Sequence, residues 1–290
     1  MVRGAYVGAG SLTARFRAQP DFIVVGAQRC GTTSLFRALE QHPQVVRPTL
    51  NKGVNYFDLD YHRGKGWYRA HFPLTATVRR RVGADHPAAV FEASGYYMFH
   101  PHAARRIARD LPNVKIVAML RDPVERAYSA WKHESARGFD ALSFEEALAL
   151  EEDRTAGERA RMMSDPTYQS HDFRHFSYTA RGDYVAQLRA FYDVLPRGQV
   201  HVVYSEQFFE HPQAEFAELE SFLGLDHATG LVFDQHNARS SAPMDPVTRT
   251  ALEGRYRGQA DALESLVGRR PPWEGETASG YAQDRDDALG

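Results

Sequence analysis

The most informative segment of the sequence is Phe22-Ile23-Val24-Val25-Gly26-Ala27-Gln28-Arg29-Cys30-Gly31-Thr32-Thr33-Ser34-Leu35. Its apolar start predicts a buried strand, and its hydroxyl-rich end predicts the first turn of a helix. The glycines have the G-x-x-x-x-G spacing of a phosphate-binding loop, in which backbone N–H groups and a helix N-terminus face an anion. Arg29 adds a full positive charge. Thr32 replaces the lysine of nucleotide hydrolases and kinases, so the segment predicts a phosphate site of another kind.

The composition is that of an ordinary globular protein. The chain has 290 residues, 43% hydrophobic and 25% charged, which is enough for a sizeable core. The net charge of −2 argues against a general nucleic-acid binder, so an anion site must be a local cluster of arginines. Cys30 is the only cysteine, which excludes an intrachain disulfide and favours a cytoplasmic location. We expect no transmembrane segment, because no apolar run approaches roughly 20 residues.

Apolar runs alternate with helical patterns along the chain. This alternation predicts an α/β fold, in which a single domain is built on an open parallel sheet with helices on both faces. The weak periodicity of residues 155–177 predicts a mobile loop or lid. Predicted strands cover Phe22–Gly26, Ala89–Ala93, Val114–Leu120 and Val200–Tyr204. Predicted helices cover Thr32–Gln41, His102–Asp110, Val124–Arg137, Phe144–Asp153, Asp183–Val194, Pro212–Leu223 and Asp245–Val267.

The C-terminal part of the sequence contains one more candidate for ligand contact. Asn237 and Arg239 precede the last predicted helix, and their segment either closes over the ligand or forms a plain loop. From Arg269 onward the sequence is rich in proline, glycine and acidic residues, which predicts a frayed end. The sequence thus divides into an N-terminal extension (1–20), a central domain (21–270) and a flexible tail (271–290).

A second candidate anion site follows the third predicted strand. Arg121 stands at the carboxyl end of that strand, where ligands bind in open α/β sheets. Ser129 lies two turns into the next helix, where we expect Asp122 as the cap, Pro123 as the first residue and Glu125 in a capping box. An arginine fork with a nearby hydroxyl can hold a phosphate. The alternative is a surface pair of Arg121 with Asp122 or Glu125, and the first loop favours the anion site.

Two further segments suit an acceptor and its chemistry. Residues 51–73 are dense in aromatic and cationic side chains, and they include Lys52, Asp58 and His62. This mixture suits an acceptor pocket, but taken alone it favours an ordinary surface loop with aromatic anchors. Lys52 can assist at a transferring group. Glu92 falls at the end of the second predicted strand, where a carboxylate either acts as a base or pairs with an arginine.

In this order, the segments resemble the sulfotransferases that use 3′-phosphoadenosine 5′-phosphosulfate, and they are most similar to bacterial members related to the heparan sulfate sulfotransferase group. The resemblance covers about Phe22 to Trp273. It implies that Gly26–Ser34 holds the 5′-phosphosulfate and that Arg121 and Ser129 bind the 3′-phosphate. The predicted cofactor contacts are Arg29, Cys30, Gly31, Thr32, Thr33, Ser34, Arg121, Ser129, Asn237 and Arg239.

The sequence departs from this family at two positions. The family often has lysine where this chain has Arg29, which keeps the charge but not the compact donor. Heparan-type relatives carry a catalytic glutamate directly after the position of Lys52, and here that residue is Gly53, which has no side chain to act as a base. Another group must therefore accept the acceptor's proton. The candidates are Glu92 first, His62 second and Asp58 third.

The resemblance implies sulfuryl transfer to a hydroxyl or amine of a small-molecule, glycan or lipid-linked acceptor, without a metal. A loose transition state needs in-line positioning and stabilised charge on the leaving phosphate, which the loop amides, Arg29 and Lys52 can supply. Three alternatives stay open: a phosphate-loop nucleotide enzyme, a cysteine phosphatase and a catalytically impaired sulfonucleotide binder. The missing loop lysine counts against the first. The second needs an arginine where Phe36 stands.

Overall fold

The computed structural model describes Val7 and residues 10–83, 86–234 and 243–273. Its strands are β1 (Phe22–Gly26), β2 (Val45–Val46), β3 (Ala89–Ala93), β4 (Lys115–Leu120) and β5 (Val200–Tyr204). Its helices are α1 (Thr32–Gln41), α2 (Gly64–Arg69), α3 (Thr75–Val82), α4 (Ala103–Asp110), α5 (Pro123–Ala136), α6 (Phe144–Ala149), α7 (Glu151–Thr155), α8 (Glu158–Ser164), α9 (His171–Phe176), α10 (Tyr184–Tyr192), α11 (Ser205–Glu210), α12 (Pro212–Leu223), α13 (Pro246–Arg255) and α14 (Gln259–Val267). Among these described helices, none combines the length and hydropathy needed to cross a bilayer.

The strands form one open parallel sheet in the order β2-β3-β1-β4-β5. Every residue of β1 and β3 is buried, so helices cover both faces of the sheet, as expected for parallel strands joined by crossover helices. The predicted open parallel α/β sheet is confirmed. Because β1 lies between β3 and β4, the segments that leave the carboxyl ends of these three strands lie side by side, at the edge where open sheets bind ligands.

The sequence predicted four of the strands and missed β2, which is two residues long and follows a turn at Pro43. The prediction of one helix over Asp245–Val267 is wrong. Gly258 has a φ of +80°, a left-handed conformation that interrupts the chain between α13 and α14. The predicted helix Phe144–Asp153 is likewise two helices, α6 and α7, which meet at Leu150.

Residues 155–177 contain secondary structure, so the prediction of a loop there is wrong. They include helices α8 and α9, and α9 is capped by Ser170, whose hydroxyl accepts the Phe173 N–H at 3.0 Å. Met162 and Phe173 are buried. These helices are seven and six residues long, too short for helical periodicity to be recognised. The role of the segment as a lid stays a prediction.

The chain stays packed beyond the point where the sequence predicted fraying. Arg269 donates to Glu215 at 3.1 Å, and the Trp273 ring centroid lies 5.2 Å from that of Tyr204. The C-terminal side of the domain therefore includes residues 269–273, whose aromatic and arginine contacts come from distant segments. Asn237, Arg239 and residues 274–290 lie outside the described residues.

Candidate active site

The loop between β1 and α1 is shaped for an anion. Gly31 has a φ of +88°, and a Cβ there would lie 3.1 Å from Phe209 and 3.2 Å from Met119. Among the described residues, the backbone N–H groups of Gly31, Thr32 and Thr33 have no hydrogen-bond partner. The first N–H groups of a helix need an outside acceptor, and α1 directs its positive end to the same place. The loop therefore offers several converging donors to a phosphate-like group.

Lys52 brings an ammonium group to this loop from the connection between β2 and β3. Its Nζ donates to Thr32 Oγ1 and to Thr33 Oγ1, each at 3.2 Å. Burial lowers the pKa of Lys52 to about 8, and the charge of Arg37 acts in the same direction. A bound anion would favour the charged form and oppose this shift. The lysine that the loop sequence lacks is thus supplied by a residue outside the loop.

The two predicted anion sites are in direct contact. Arg29 Nε donates to Ser129 Oγ at 3.1 Å, which joins the loop to α5. Tyr184 Oη donates to the Arg121 carbonyl at 2.8 Å and lies 3.7 Å from Cys30 Sγ, which joins the loop to the end of β4. One ligand can therefore touch both sites. Arg29 faces the second site, so its side chain is engaged there rather than beside Lys52.

The start of α5 positions Arg121. Asp122 caps the helix as predicted and accepts two first-turn N–H groups at 2.8 and 3.4 Å. The predicted capping box is wrong, because the Asp122 N–H donates to Glu206 at 2.9 Å instead of to Glu125. Glu125 pairs with Arg249 and lies 3.7 Å from Arg121, whose side chain is 34% exposed. Such exposed pairs are weak, so Arg121 can exchange this partner for a phosphate.

Lys132 lies close enough to the second anion site to interact electrostatically with Arg121 and Arg29, although the sequence did not single it out. Burial lowers the pKa of Lys132. The negative charge of Glu125 opposes this shift, and the positive charges of Arg121 and Arg29 add to it. Lys132 therefore lies in the field of both arginines. The signal that could have found it is its spacing of one helical turn from Ser129, which places both residues on one face of α5.

Arg126 is a buried cation behind the loop. Its side chain has no exposed surface, and its Nη2 donates to the Tyr178 carbonyl. Among the described residues, Nε and Nη1 have no hydrogen-bond partner. Burial raises the pKa of Cys30 to about 11, with Arg126 opposing the shift. The neutral thiol argues against a cysteine phosphatase, whose nucleophile is a thiolate.

Gly53 has no room for a side chain. A Cβ there would lie 2.5 Å from the Ala93 carbonyl oxygen and 2.6 Å from Ser94 Oγ. The segment is held against β3 because the Ala93 N–H donates to the Lys52 carbonyl at 3.0 Å. The glutamate that the sequence resemblance implies at this position does not fit the packing of this chain.

Glu92 is fully buried, which does not suit the predicted role of base. Burial raises its pKa, although its hydrogen bonds oppose the shift. Each of its two oxygens already accepts two hydrogen bonds, so neither is left to take an acceptor's proton. The carboxylate instead fixes the segment that carries Lys52. It accepts hydrogen bonds from Val54 N (2.8 Å), Ser94 Oγ (2.9 Å), Tyr68 Oη (2.7 Å) and Tyr97 Oη (3.1 Å).

The other two candidate bases differ in their surroundings. His62 is exposed in a short 3-10 helix. Asp58 is 4% exposed; its Oδ1 accepts the Leu59 N–H at 2.7 Å, and its Oδ2 has no partner among the described residues. Burial raises the pKa of Asp58 to about 7. The hydrogen bond from the Leu59 N–H opposes this shift, and the charge of Glu92 adds to it. Asp58 is thus the candidate base whose carboxylate has an oxygen without a hydrogen-bond partner among the described residues.

Comparison with known proteins reveals relatives in both structure and sequence. A solved sulfotransferase from Alicyclobacillus acidocaldarius matches with a TM-score of 0.63 and 33% identity, over 87% of this chain and 97% of that chain. The membrane-associated sulfotransferase kil1 of Dictyostelium discoideum is 24% identical, over 88% of this chain and 66% of its own length. The human bifunctional heparan sulfate N-deacetylase/N-sulfotransferase 3 is 27% identical, over 86% of this chain and 30% of its own length.

These curated relatives are longer than the matched region, which spans about two thirds of the first and less than one third of the second. The family model described as a sulfotransferase domain matches residues 19–244, a range that includes both anion sites, Lys52 and Asp58. The chain therefore belongs to the sulfotransferase family.

Proposed function

We propose that the protein transfers a sulfuryl group from 3′-phosphoadenosine 5′-phosphosulfate to an acceptor hydroxyl or amine. The observation that carries this proposal is the contact between the two anion sites, Arg29 Nε to Ser129 Oγ at 3.1 Å. A nucleotide with anionic groups at both ends needs two such sites on one surface. The unpartnered N–H groups of the first loop suit the phosphosulfate, and Arg121, Ser129 and Lys132 suit the 3′-phosphate.

The residues of the first loop would act on the leaving phosphate. When bound, the donor supplies an activated sulfuryl group. The loop N–H groups and the positive end of α1 stabilise charge that develops on the leaving oxygen. Lys52, held on Thr32 and Thr33, is placed to do the same at the transferring group. We assign Arg29 to the 3′-phosphate of the nucleotide, because its guanidinium donates a hydrogen bond to Ser129.

Asp58 is the residue to which we assign the acceptor's proton. It has a buried oxygen without a partner among the described residues, and its pKa of about 7 suits a base that works near neutral pH. Glu92 then acts as a positioning residue, because it holds the segment of Lys52. His62 has no part in this mechanism.

The name of a relative and the cysteine content bear on the acceptor and on the cellular location. A glycan acceptor is supported by the name of the human relative, a heparan sulfate N-sulfotransferase. A small-molecule or lipid-linked acceptor rests on the sequence resemblance alone. A cytoplasmic location rests on the single, unpaired Cys30. We place the catalytic unit within 21–270. A phosphate-loop nucleotide enzyme would require a magnesium ion with its nucleotide, so magnesium-independent binding of adenosine 3′,5′-bisphosphate would separate the two functions.

Arg121→Ala is expected to weaken binding of adenosine 3′,5′-bisphosphate about 10- to 100-fold, the effect of losing a charge-assisted hydrogen bond worth about 1.5–3 kcal/mol. Calorimetry measures the affinity. The matched control is Arg137→Ala at the far end of α5, because Arg137 also lies 3.7 Å from a glutamate of the same helix. Equal affinities of the two variants would remove Arg121 from the site.

Arg126→Met is expected to raise the melting temperature of the ligand-free protein and to lower its affinity for the bisphosphate. The substitution removes a buried charge that has two unpartnered nitrogens, while methionine fills much of the same space. If Arg126 acted only on folding, the substitution would change the melting temperature and leave the affinity for the bisphosphate unchanged. Melting curves with and without nucleotide therefore decide between the two roles.

A further inference from the structure

The peptide group between Arg121 and Asp122 is the first one beyond the sheet. Leu120 is the last residue of β4, where it pairs with Tyr204 of β5. The Arg121 carbonyl and the Asp122 N–H therefore lie beyond the strand ladder, and such backbone groups need partners from elsewhere. Arg121 is held on its N-terminal side by the ladder, so its remaining freedom depends on what holds this peptide.

Two side chains from other elements bind this peptide group, one at each end. Tyr184 Oη, at the start of α10, donates to the Arg121 carbonyl at 2.8 Å. Glu206, in α11, accepts the Asp122 N–H at 2.9 Å through Oε1. Because the C=O and N–H of one planar peptide point in opposite directions, these two hydrogen bonds together hold the plane against rotation.

Tyr184 is itself fixed by its surroundings. Its side chain is buried, its backbone N–H donates to the Gln259 side chain at 3.0 Å, and its ring centroid lies 6.2 Å from that of Trp273. Burial raises the pKa of Tyr184 well above its ordinary value, so the phenol keeps the proton that it donates. A side chain held in this way can keep a neighbouring group in a set position.

The same hydroxyl contacts the phosphate loop. Cys30 Sγ lies 3.7 Å from Tyr184 Oη, closer than the 4.0 Å that separates it from the Gln28 carbonyl. Since the phenol has one proton and donates it to Arg121, the thiol is the donor in this contact. Burial, which raises the pKa of Cys30 to about 11, keeps the thiol protonated. A chain of two hydrogen bonds thus leads from the loop through Tyr184 to the second anion site.

We propose that Tyr184 is a positioning residue for the 3′-phosphate: it holds the peptide that follows Arg121, with Glu206 at the other end, so that the guanidinium is already in place when the nucleotide arrives. This inference rests on the proposed function and adds a residue that does not itself touch the ligand. Loss of the hydroxyl leaves the Cys30 thiol with the Gln28 carbonyl, so the loop is expected to keep its affinity for the 5′ end.

Two nucleotides that differ only in the 3′-phosphate test the inference. Calorimetry gives the affinities for adenosine 3′,5′-bisphosphate and for adenosine 5′-monophosphate, and the ratio of the two affinities measures what the 3′-phosphate adds. Tyr184→Phe is expected to lower this ratio about 10-fold, the lower end of the effect expected of losing Arg121 itself. In the Arg121→Ala protein, which lacks the guanidinium, Tyr184→Phe is expected to leave the ratio unchanged.

The matched control is Tyr256→Phe. Tyr256 is also buried, and its hydroxyl also donates to a backbone carbonyl at 2.8 Å, that of Thr179, so each substitution removes the same kind of hydrogen bond. A merely structural tyrosine would lower the melting temperature in both variants and the affinity ratio in neither. Equal ratios for the two variants would overturn the positioning role and leave the proposed function intact. A wild-type protein that does not bind the bisphosphate would remove the proposed function, and the role of Tyr184 with it.

Glu206 gives a second test, which does not depend on the folding of the Tyr184→Phe protein. Glu206→Gln keeps a side-chain oxygen that can accept the Asp122 N–H, whereas Glu206→Met fills a similar volume without such an acceptor. Both substitutions remove the same negative charge, so the difference between them isolates the hydrogen bond. We expect the affinity ratio to be about 10-fold lower for Glu206→Met than for Glu206→Gln. Equal ratios would show that the hold on this peptide has no part in binding the 3′-phosphate.

Discussion

Replacing Gly53 by alanine is expected to destabilise the protein and nearly abolish transfer. The new Cβ would lie 2.5 Å from the Ala93 carbonyl oxygen, so the segment must move away from β3. The hydrogen bonds from Ala93 N to the Lys52 carbonyl and from Asn55 N to Ser94 Oγ would then lengthen. Overpacking of this kind costs about 1–3 kcal/mol. A displacement of Lys52 by about 1 Å is enough to lower turnover about 100-fold.

Gly66→Ala is the matched control, because the nearest atom to its new Cβ would be 4.0 Å away. This glycine lies inside α2, where alanine stabilises a helix by roughly 0.5–1 kcal/mol. Thermal melting and initial rates are measured for both variants. They separate the effect of the steric clash at Gly53 from the general effect of replacing a glycine by alanine.

Gly53→Glu extends the same test to the missing carboxylate of the family. It introduces the glutamate that the sequence resemblance implies at this position but is expected to lower turnover at least as much as alanine does, because the chain has no space for it. A Gly53→Glu protein more active than wild type would contradict both this packing argument and the assignment of Asp58 as the base.

The elements that the sequence predicts correctly are those with a local cause. Strand β1 and helix α1 have the predicted bounds, since an apolar run and a glycine followed by hydroxyl residues define them within one segment. The contacts that build the site are not local. Arg29 and Ser129 are 100 residues apart, and Lys52 is 20 residues from Thr32. The sequence named these residues as candidates, but no periodicity shows which of them touch.

The roles of the carboxylates were the least predictable part of the site. A glutamate at the end of a strand has the same sequence pattern whether it acts as a base or anchors a loop. Glu92 is an anchor because two tyrosines and a serine converge on it, and Tyr68 comes from 24 residues away. The capping box failed for a similar reason, because Glu206, from beyond β5, takes the Asp122 N–H. Such choices depend on tertiary neighbours, which local patterns do not contain.

Lys52→Met is expected to lower turnover about 100- to 1,000-fold, the effect of removing one preorganised donor from developing charge. Methionine keeps an apolar stem of similar volume, so the packing against Phe36 is retained, where Lys52 Nζ lies 5.8 Å from the ring centre. Lys65→Met is the control, because that lysine is 58% exposed and pairs with Asp110. Initial rates of sulfuryl transfer measure the effect, and equal rates for the two variants would contradict the role of Lys52.

The lowered pKa of Lys52 adds a test that needs no acceptor. The unfolded lysine stays charged up to its ordinary pKa of about 10.4, whereas the folded one loses its proton through about pH 8. The unfolded state thus binds more protons in this window, so Lys52 makes the stability of the ligand-free protein rise with pH there.

A bound anion reverses the shift in the pKa of Lys52, so bisphosphate affinity should fall over the same pH window while binding takes up protons. Calorimetry in two buffers of different ionisation enthalpy detects that uptake. The control is the Lys52→Met protein, which keeps Lys132, so the difference between its pH profile of bisphosphate affinity and that of the wild type is due to Lys52. Identical pH profiles for the two proteins would show that Lys52 does not face the bound anion.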